Sequence, residues 1–111
     1  MSKSTIKNPK EIETLFTKGK KAFFPELMIS YISGNPNENK FLYTSKKGIG
    51  NAVTRNSIKR KLKEITQLIT IKGFNIALVG NLKLLEIKDY KDLANKINKE
   101  LNKKGTFKKY E

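Results

Sequence analysis

The residues of this chain best suited to chemistry are cations gathered in one stretch, residues 46–64, with the sequence "KKGIGNAVTRNSIKRKLKE". The cations are Lys46, Lys47, Arg55, Lys59, Arg60, Lys61 and Lys63, and the only acid is the closing Glu64. Arginine presents a planar fork that suits phosphate oxygens, and Asn56 can both donate and accept hydrogen bonds. Glycines at 48 and 50 would let backbone N–H groups approach a phosphate. The stretch therefore predicts binding to a polyanion.

The residue types that are missing exclude several kinds of catalysis. The chain has no Cys and no His, which removes disulfides, thiolate nucleophiles and the commonest general base at neutral pH. Its ten Asp and Glu residues are scattered, and none lies between Glu38 and Glu64. Paired carboxylates that could bind magnesium are therefore not visible. If the chain takes part in a reaction, we expect another molecule to supply the chemistry.

The overall charge narrows the choice of partner. The 24 Lys and Arg residues against 10 Asp and Glu residues leave a net charge of +14. Nucleic acids and anionic membranes are the common partners of such proteins. No apolar run reaches ten residues, and the N-terminus lacks the apolar core of a signal peptide. We therefore expect a cytoplasmic protein that binds nucleic acid and does not bind a membrane.

The pattern of apolar residues, turn residues and caps predicts one domain, residues 1–111, that alternates helices and strands. A helix is expected over about 9–18, between Asn8 as N-cap and Gly19 as stop signal. Strands are expected at 26–33, 41–45 and 74–80, with a weaker extended piece at 22–24. A second helix should run from Asn51 to about residue 68, and a third from Asp89 to Gly105.

This order of elements predicts helices packed on a sheet, an α+β fold in the form of an α/β sandwich. We expect the two ends, residues 1–7 and 106–111, to be flexible.

The second predicted helix divides into two faces. Ile58, Leu62, Ile65 and Ile69 fall on one narrow stripe, which should face the core. The cations at 55, 59 and 63 share a second line, with Asn56 and Arg60 beside it. Charged helix faces are usually only solvated, but cations at i, i+4 and i+8 repel one another, and an anionic partner would relieve that repulsion. The single sign, the arginines and the preceding glycine turn favour binding of nucleic acid.

The stretch "SKKGIGNAVTRNSIKRKLKE" resembles the signature of the bacterial ribonuclease P protein family. The shared features are a Lys-Lys turn, a Gly-Asn-Ala-Val entry, and a helix with an Arg-Asn motif followed by an apolar residue and Lys-Arg. "IKNPKEIETLFTKGK" is similar to the N-terminal segment of the same family. The resemblance implies a sandwich like the second domain of ribosomal protein S5. It also implies the order α-β-β-β-α-β-α, a mostly antiparallel four-stranded sheet and a left-handed crossover.

The same resemblance implies the protein subunit of a ribonucleoprotein endonuclease that matures the 5′ end of tRNA. The RNA subunit would hold the active site and its magnesium ions. The protein, monomeric apart from RNA, would bind that RNA and the 5′ leader of precursor tRNA. Two alternatives remain open: a structural RNA-binding protein of ribosomal type with no role in catalysis, and a nuclease that acts without RNA.

Carried over by position, the resemblance implies two sets of site residues. The RNA-binding set is Lys46, Lys47, Asn51, Arg55, Asn56, Lys59, Arg60, Lys61 and Lys63. The leader-cleft set is Ile12, Phe16, Lys20, Met28 and Ser30.

The chain departs from the family pattern at several positions. Ser57 replaces the second Arg of an Arg-Asn-Arg motif, and Lys61, a turn later on the same side, would partly compensate for it. Gly48 is an extra residue in the turn and shifts the placement of the two preceding lysines by about one position. The cleft aromatic of the family aligns with Ser30, which leaves Tyr31 on the opposite face unless the register shifts by one.

Two further questions stay open from the sequence. Tyr43 could face either the core or the cleft. Lys18, Lys20 and Lys21 are either solvated or in contact with phosphates.

Overall fold

The computed structural model describes residues 4–48 and 50–109, with the backbone alone for residues 4, 5 and 103–109. The strands are β1 (Ser4–Thr5), β2 (Lys20–Phe23), β3 (Leu27–Ser33), β4 (Lys40–Ser45) and β5 (Phe74–Gly80). The helices are α1 (Pro9–Lys18), α2 (Ala52–Thr66) and α3 (Lys91–Lys109), with a 3₁₀ helix at Leu82–Glu86. The predicted order α-β-β-β-α-β-α is confirmed, with the two-residue β1 in front of it.

The sheet is mixed and has the strand order β1-β4-β5-β3-β2. β3 runs antiparallel to both of its neighbours, β2 and β5. β4 runs parallel to β5, and α2 connects them. Four strands carry the sheet, because β1 adds only the pairs Ser4 with Lys40 and Thr5 with Phe41.

Two cores form on the two sides of the sheet because side chains alternate along each strand. Leu27, Ile29, Phe41, Ile76 and Leu78 face α2 and α3, which cover one side. The other side, called here the α1 face, carries the smaller core of Ile6, Leu15 and Ala77. The fold is thus a sandwich with helices on both sides of one sheet.

Short polar side chains cap the N-termini of the three helices. The Asn8 side chain accepts a hydrogen bond from the Lys10 N–H at 2.9 Å, and the Asp89 side chain accepts one from the Lys91 N–H at the same distance. Asn51 caps α2. These bonds satisfy N–H groups of the first turn, which have no partner inside the helix. Residues with short polar side chains are therefore preferred at this position, and they predict helix starts from the sequence.

Both chain ends include regular secondary structure. Ser4 and Thr5 pair with β4, and Ile6 is only 3% exposed because it packs into the core of the α1 face. At the other end α3 continues through Gly105 to Lys109, so the prediction that Gly105 stops the helix is wrong. A glycine inside a helix costs only about 1 kcal/mol, which does not force an end. Residues 1–3, 110 and 111 lie outside the described residues.

None of the described helices is both long and apolar enough to span a membrane.

Candidate nucleic-acid interface

The cationic side of α2 points to solvent because the opposite side is buried. Ile58, Leu62 and Ile65 have no exposed surface and hold the helix on the sheet. The side chains that lie away from the core are exposed: Arg55, Asn56, Lys59, Arg60 and Lys63. We call these five residues the α2 cationic face. Because the core stripe fixes the rotation of the helix, this face has a defined orientation.

The turn that leads into α2 is also cationic and needs its glycines. Lys46 and Lys47 are exposed, and the Lys46 N–H extends the pairing of β4 by donating to the Gly80 carbonyl at 2.8 Å. Gly48 and Gly50 have φ of 83° and 46°, values that side chains other than glycine rarely adopt. Ile49, between them, lies outside the described residues.

Two of the predicted RNA-binding side chains also hold the start of α2. The Asn51 side chain accepts a hydrogen bond from the Thr54 N–H at 3.0 Å, so its oxygen is engaged as the cap. The Arg55 guanidinium donates to the Gly50 carbonyl at 3.1 Å through one of its nitrogens. Both side chains are exposed. These two bonds fix the first turn of α2, so side chains predicted to bind RNA also hold the start of the helix in place.

A pocket of about 400 Å³ separates the cationic face from the edge of β4. It is lined by Leu42, Tyr43, Asn56, Lys59, Arg60 and Lys63.

Tyr43 faces α2, where its hydroxyl is 3.1 Å from the Thr66 hydroxyl, and this answers the question that the sequence left open. The Lys63 ammonium lies 5.8 Å from the centre of the Tyr43 ring. Burial raises the pKa of Tyr43, and the bond to Thr66 opposes this. The phenol therefore stays neutral beside the cations.

Lys61 lies off the α2 cationic face as defined above, and its partial compensation for Ser57 stays a prediction. Its ammonium donates to the Tyr90 hydroxyl at 2.9 Å and lies 5.4 Å from the centre of that ring. The side chain therefore lies against the segment that precedes α3.

Three of the five predicted cleft residues lie half-buried on the α1 face or above it. Ile12 and Phe16 belong to α1 and pack at the margin of the smaller core, next to the fully buried Leu15. Met28 lies on β3, on the α1 side of the sheet. Phe16 is thus neither sealed in the core nor fully exposed.

Ser30 also lies on the α1 side, as the resemblance implied, but it has no exposed surface. Its hydroxyl donates to the Leu15 carbonyl at 2.6 Å, beneath the last turn of α1. Ser30 therefore secures α1 and has no surface with which to touch a ligand, so its assignment to the cleft is corrected. Tyr31 lies on the opposite side, where its hydroxyl donates to the Glu100 carboxylate at 2.6 Å. No register shift is present.

Lys20 is the second correction in the cleft. It pairs with Tyr31, and residues directly opposite in a sheet point to the same side, so Lys20 belongs to the α2 and α3 side. Lys21 pairs with Ser30 and therefore projects on the α1 side, where it is exposed. On β2 it is therefore Lys21, and not Lys20, that lies on the α1 face.

Sequence reasoning missed Phe23, which is 74% exposed on β2. It pairs with Met28 and so lies on the α1 side. Phe24 packs against the larger core on the opposite side. Two adjacent phenylalanines gave no signal for which one was exposed, because that depends on where β2 begins.

An exposed cationic helix, a cationic glycine turn and a sheet face with half-buried aromatic and apolar groups define an RNA-binding α+β protein. The sequence comparison is more specific. The family model described as Ribonuclease P matches residues 1–105, and the chain belongs to this family.

Named relatives agree with this assignment. The ribonuclease P protein component of Thermoanaerobacter sp. (strain X514) is 31% identical over 101 residues, which cover 88% of this chain and 86% of the relative. The ribonuclease P protein component of Clostridium botulinum (strain Loch Maree / Type A3) is 30% identical over 112 residues, covering 96% and 99%. The family relation makes the chain a subunit of the ribonuclease P ribonucleoprotein, with a role in tRNA processing and an RNA subunit as its partner.

Solved structures share the fold. The ribonuclease P protein of Thermotoga maritima matches with a TM-score of 0.69 at 21% identity, over 91% of this chain and 97% of that one. The Staphylococcus aureus ribonuclease P protein matches with a TM-score of 0.61 at 19% identity, over 88% of each chain. The predicted fold class is confirmed.

Proposed function

We propose that this chain assists ribonuclease P by holding two RNAs on two surfaces. The α2 cationic face would bind the RNA subunit, and the α1 face would bind the 5′ leader of precursor tRNA. Catalysis would reside in the RNA subunit. The observation that carries the proposal is the fixed, exposed and single-signed face of α2.

The cationic face suits a phosphate backbone. Its cations project from a helix whose other side is buried, so their backbone positions are fixed before an RNA binds and only their side chains become ordered. Arg55 and Arg60 offer paired donors, while Lys59 and Lys63 add point charges. Each phosphate contact releases condensed counterions, so this surface should bind RNA with a strong dependence on salt.

The α1 face suits a single strand. Phe16 is half-buried at the margin of the core, which leaves part of its ring for a base, and Met28 and Ile12 add apolar surface nearby. Lys18, at the end of α1, and Lys21, on β2, are exposed and available for phosphates. Aromatic surface beside cations is the combination that binds single-stranded nucleic acid.

Magnesium would be bound mainly by the RNA subunit. In the part of the chain that the structure describes, no three His, Cys, Asp or Glu side chains come close enough to hold a metal ion. No step is therefore assigned to a metal held by the described part of the protein. The cations of α2 would instead neutralise part of the RNA charge and so lower the magnesium concentration that assembly requires.

The proposal includes a protein that is monomeric when no RNA is bound. It also includes a cytoplasmic location, where precursor tRNA is available.

Reconstitution tests the proposed function. The chain, freed of nucleic acid, is mixed with a bacterial ribonuclease P RNA and precursor tRNA at a magnesium concentration where the RNA alone is nearly inactive. We expect correct 5′ cleavage to rise well above that of the RNA alone. Binding without stimulation would favour a structural RNA-binding protein and refute the proposal. Cleavage by the chain without RNA would favour a nuclease that acts alone.

Phe16→Ala tests the leader surface. Loss of a base stack on this ring should weaken binding of precursor tRNA to the reconstituted enzyme by about 1–3 kcal/mol. Binding of mature tRNA, which lacks the leader, should not change. Thr14→Ala, at an exposed position of the same helix, is the matched control. Equal losses for precursor and mature tRNA would show that Phe16 does not act on the leader.

A further inference from the structure

The α1 face continues beyond α1 as a row of side chains that crosses four strands. Phe23 pairs with Met28, Met28 with Val79, and Val79 with Thr44. Residues directly opposite one another point to the same side, so all four lie on the α1 face. The row spans three strand spacings, about 14 Å. Phe23 ends it, on the edge strand β2.

Helix α1 does not cover this row. The Ser30 hydroxyl donates to the Leu15 carbonyl in the last turns of α1, while Met28 is two residues further along β3. Two residues of a strand correspond to about 7 Å. Met28, Val79 and Thr44 are half-buried, and Phe23 is 74% exposed. The row is therefore an open shelf, and its edge is a largely exposed aromatic ring.

The charges next to Phe23 favour a polyanion. Lys21 lies two residues before it on the same strand and the same side, and is exposed. The acid that follows in the turn, Glu26, is half-buried and has one carboxylate oxygen shielded from solvent. The exposed ring of Phe23 offers a surface for a base, and the ammonium of Lys21, two residues earlier on the same side, offers a charge for the adjacent phosphate.

The edge strand itself is a poor site for adding a strand from another protein chain. Lys20 and Lys21 are both exposed on β2, so successive residues put a cation on each side of it. Lysines on an edge strand oppose pairing with a further strand, whether from a second copy or from a different protein. An exposed phenylalanine in this setting is better matched to a nucleobase than to an apolar protein surface.

We propose that Phe23 is a stacking platform for one nucleobase of the leader, beyond the part that α1 covers, and that Lys21 contacts a neighbouring phosphate. The inference rests on the proposed function of the α1 face and adds a residue to it. Phe23 and Phe16 lie on different elements, β2 and α1, so each contributes its own contact with the leader. Leaders long enough to reach the β2 edge are therefore bound more tightly than shorter ones.

The test uses the reconstituted enzyme and precursor tRNAs whose leaders are lengthened one nucleotide at a time, with mature tRNA as reference. For wild type we expect a step in affinity at one leader length. Phe23→Ala should remove that step, with a loss of at least about fivefold, the lower end for a base stacked on an aromatic ring. Phe23→Tyr should keep the step, because the ring remains. Leu68→Ala removes an exposed apolar side chain far along the sequence, after α2, and should change nothing.

A single abasic nucleotide, moved along the leader, identifies the stacked base. At one position it should weaken wild-type binding by the same factor as Phe23→Ala, and it should cause no further loss in that variant. Such non-additivity is the signature of a direct contact. Additive losses at every position would refute the stack.

Other outcomes separate the two proposals. If wild type discriminates precursor from mature tRNA but Phe23→Ala does so equally well, the platform is refuted and the proposed function stands. If wild type does not discriminate them, the proposed leader function itself fails. An equal loss for mature tRNA would assign Phe23 to another RNA surface, and a wild-type dimer that Phe23→Ala converts to a monomer would assign it to self-association. Either result overturns the platform.

Discussion

Two lysines two residues apart on α2 should respond differently to the same loss of charge. Lys59 is exposed and lines the pocket beside β4, whereas Lys61 is bound to Tyr90. Lys59→Gln and Lys61→Gln each lower the net charge by one. Any difference between them in RNA affinity therefore reports a local contact and not the overall field of the protein.

The size of the effect follows from counterion release. Each phosphate contact contributes about 0.7 to 0.9 to the slope of log affinity against log salt concentration. Lys59→Gln should lower the slope by about that amount. The ratio of wild-type to variant affinity for RNA should therefore change by about threefold between 50 and 200 mM salt. Lys61→Gln should leave the slope nearly unchanged. It should instead lower the free energy of unfolding by about 0.5–1.5 kcal/mol, the ordinary value of a hydrogen bond.

The assay is a titration of ribonuclease P RNA with each variant over a series of potassium chloride concentrations at fixed magnesium. Urea unfolding of the free protein gives the stability of each variant. Equal reductions of the slope in both variants would refute the assignment of Lys61 to the Tyr90 contact. An unchanged slope for Lys59→Gln would remove this residue from the RNA interface.

Two other substitutions test the packing that positions the site. Asn39→Leu should lower the free energy of unfolding by about 2–4 kcal/mol in urea, because the buried side chain donates to the Ile71 carbonyl at 2.6 Å and accepts from the Phe74 N–H at 2.9 Å. A loss below about 1 kcal/mol would mean that water replaces both bonds. Gly80→Ala would place a methyl group 2.6 Å from a side-chain carbon of Ile58, so α2 must shift; we expect a loss of about 1–3 kcal/mol by thermal unfolding. An unchanged melting temperature would contradict so close an approach of helix and strand.

Local signals predicted most of the fold. Asn8, Gly19 and Asp89 marked helix boundaries because capping depends on groups a few residues apart in the chain. The strand at 74–80 was bounded correctly by its glycines. The failure at Gly105 has the opposite cause, since an isolated glycine weakens a helix without ending it.

The assignment of cleft residues depended on information that the sequence lacks. Side chains alternate along a strand, so a shift of one residue in the start of β2 exchanges the sides of Lys20 and Lys21. The same exchange decides whether Phe23 or Phe24 is exposed. Hydrogen bonding between β2 and β3 sets this register, and those partners are far enough apart that no local pattern specifies it.

The sequence by itself determined the basic character of this protein, the two faces of α2 and, through the motif at 46–64, its family. These properties follow from residue types and from a helical period that needs no partner. The tertiary structure alone decided that Lys61 binds Tyr90, that Ser30 is covered by α1, and that Phe23 ends an open shelf. Each of these depends on which segments pack together, because a side chain becomes buried or exposed only when a distant part of the chain covers it or leaves it open.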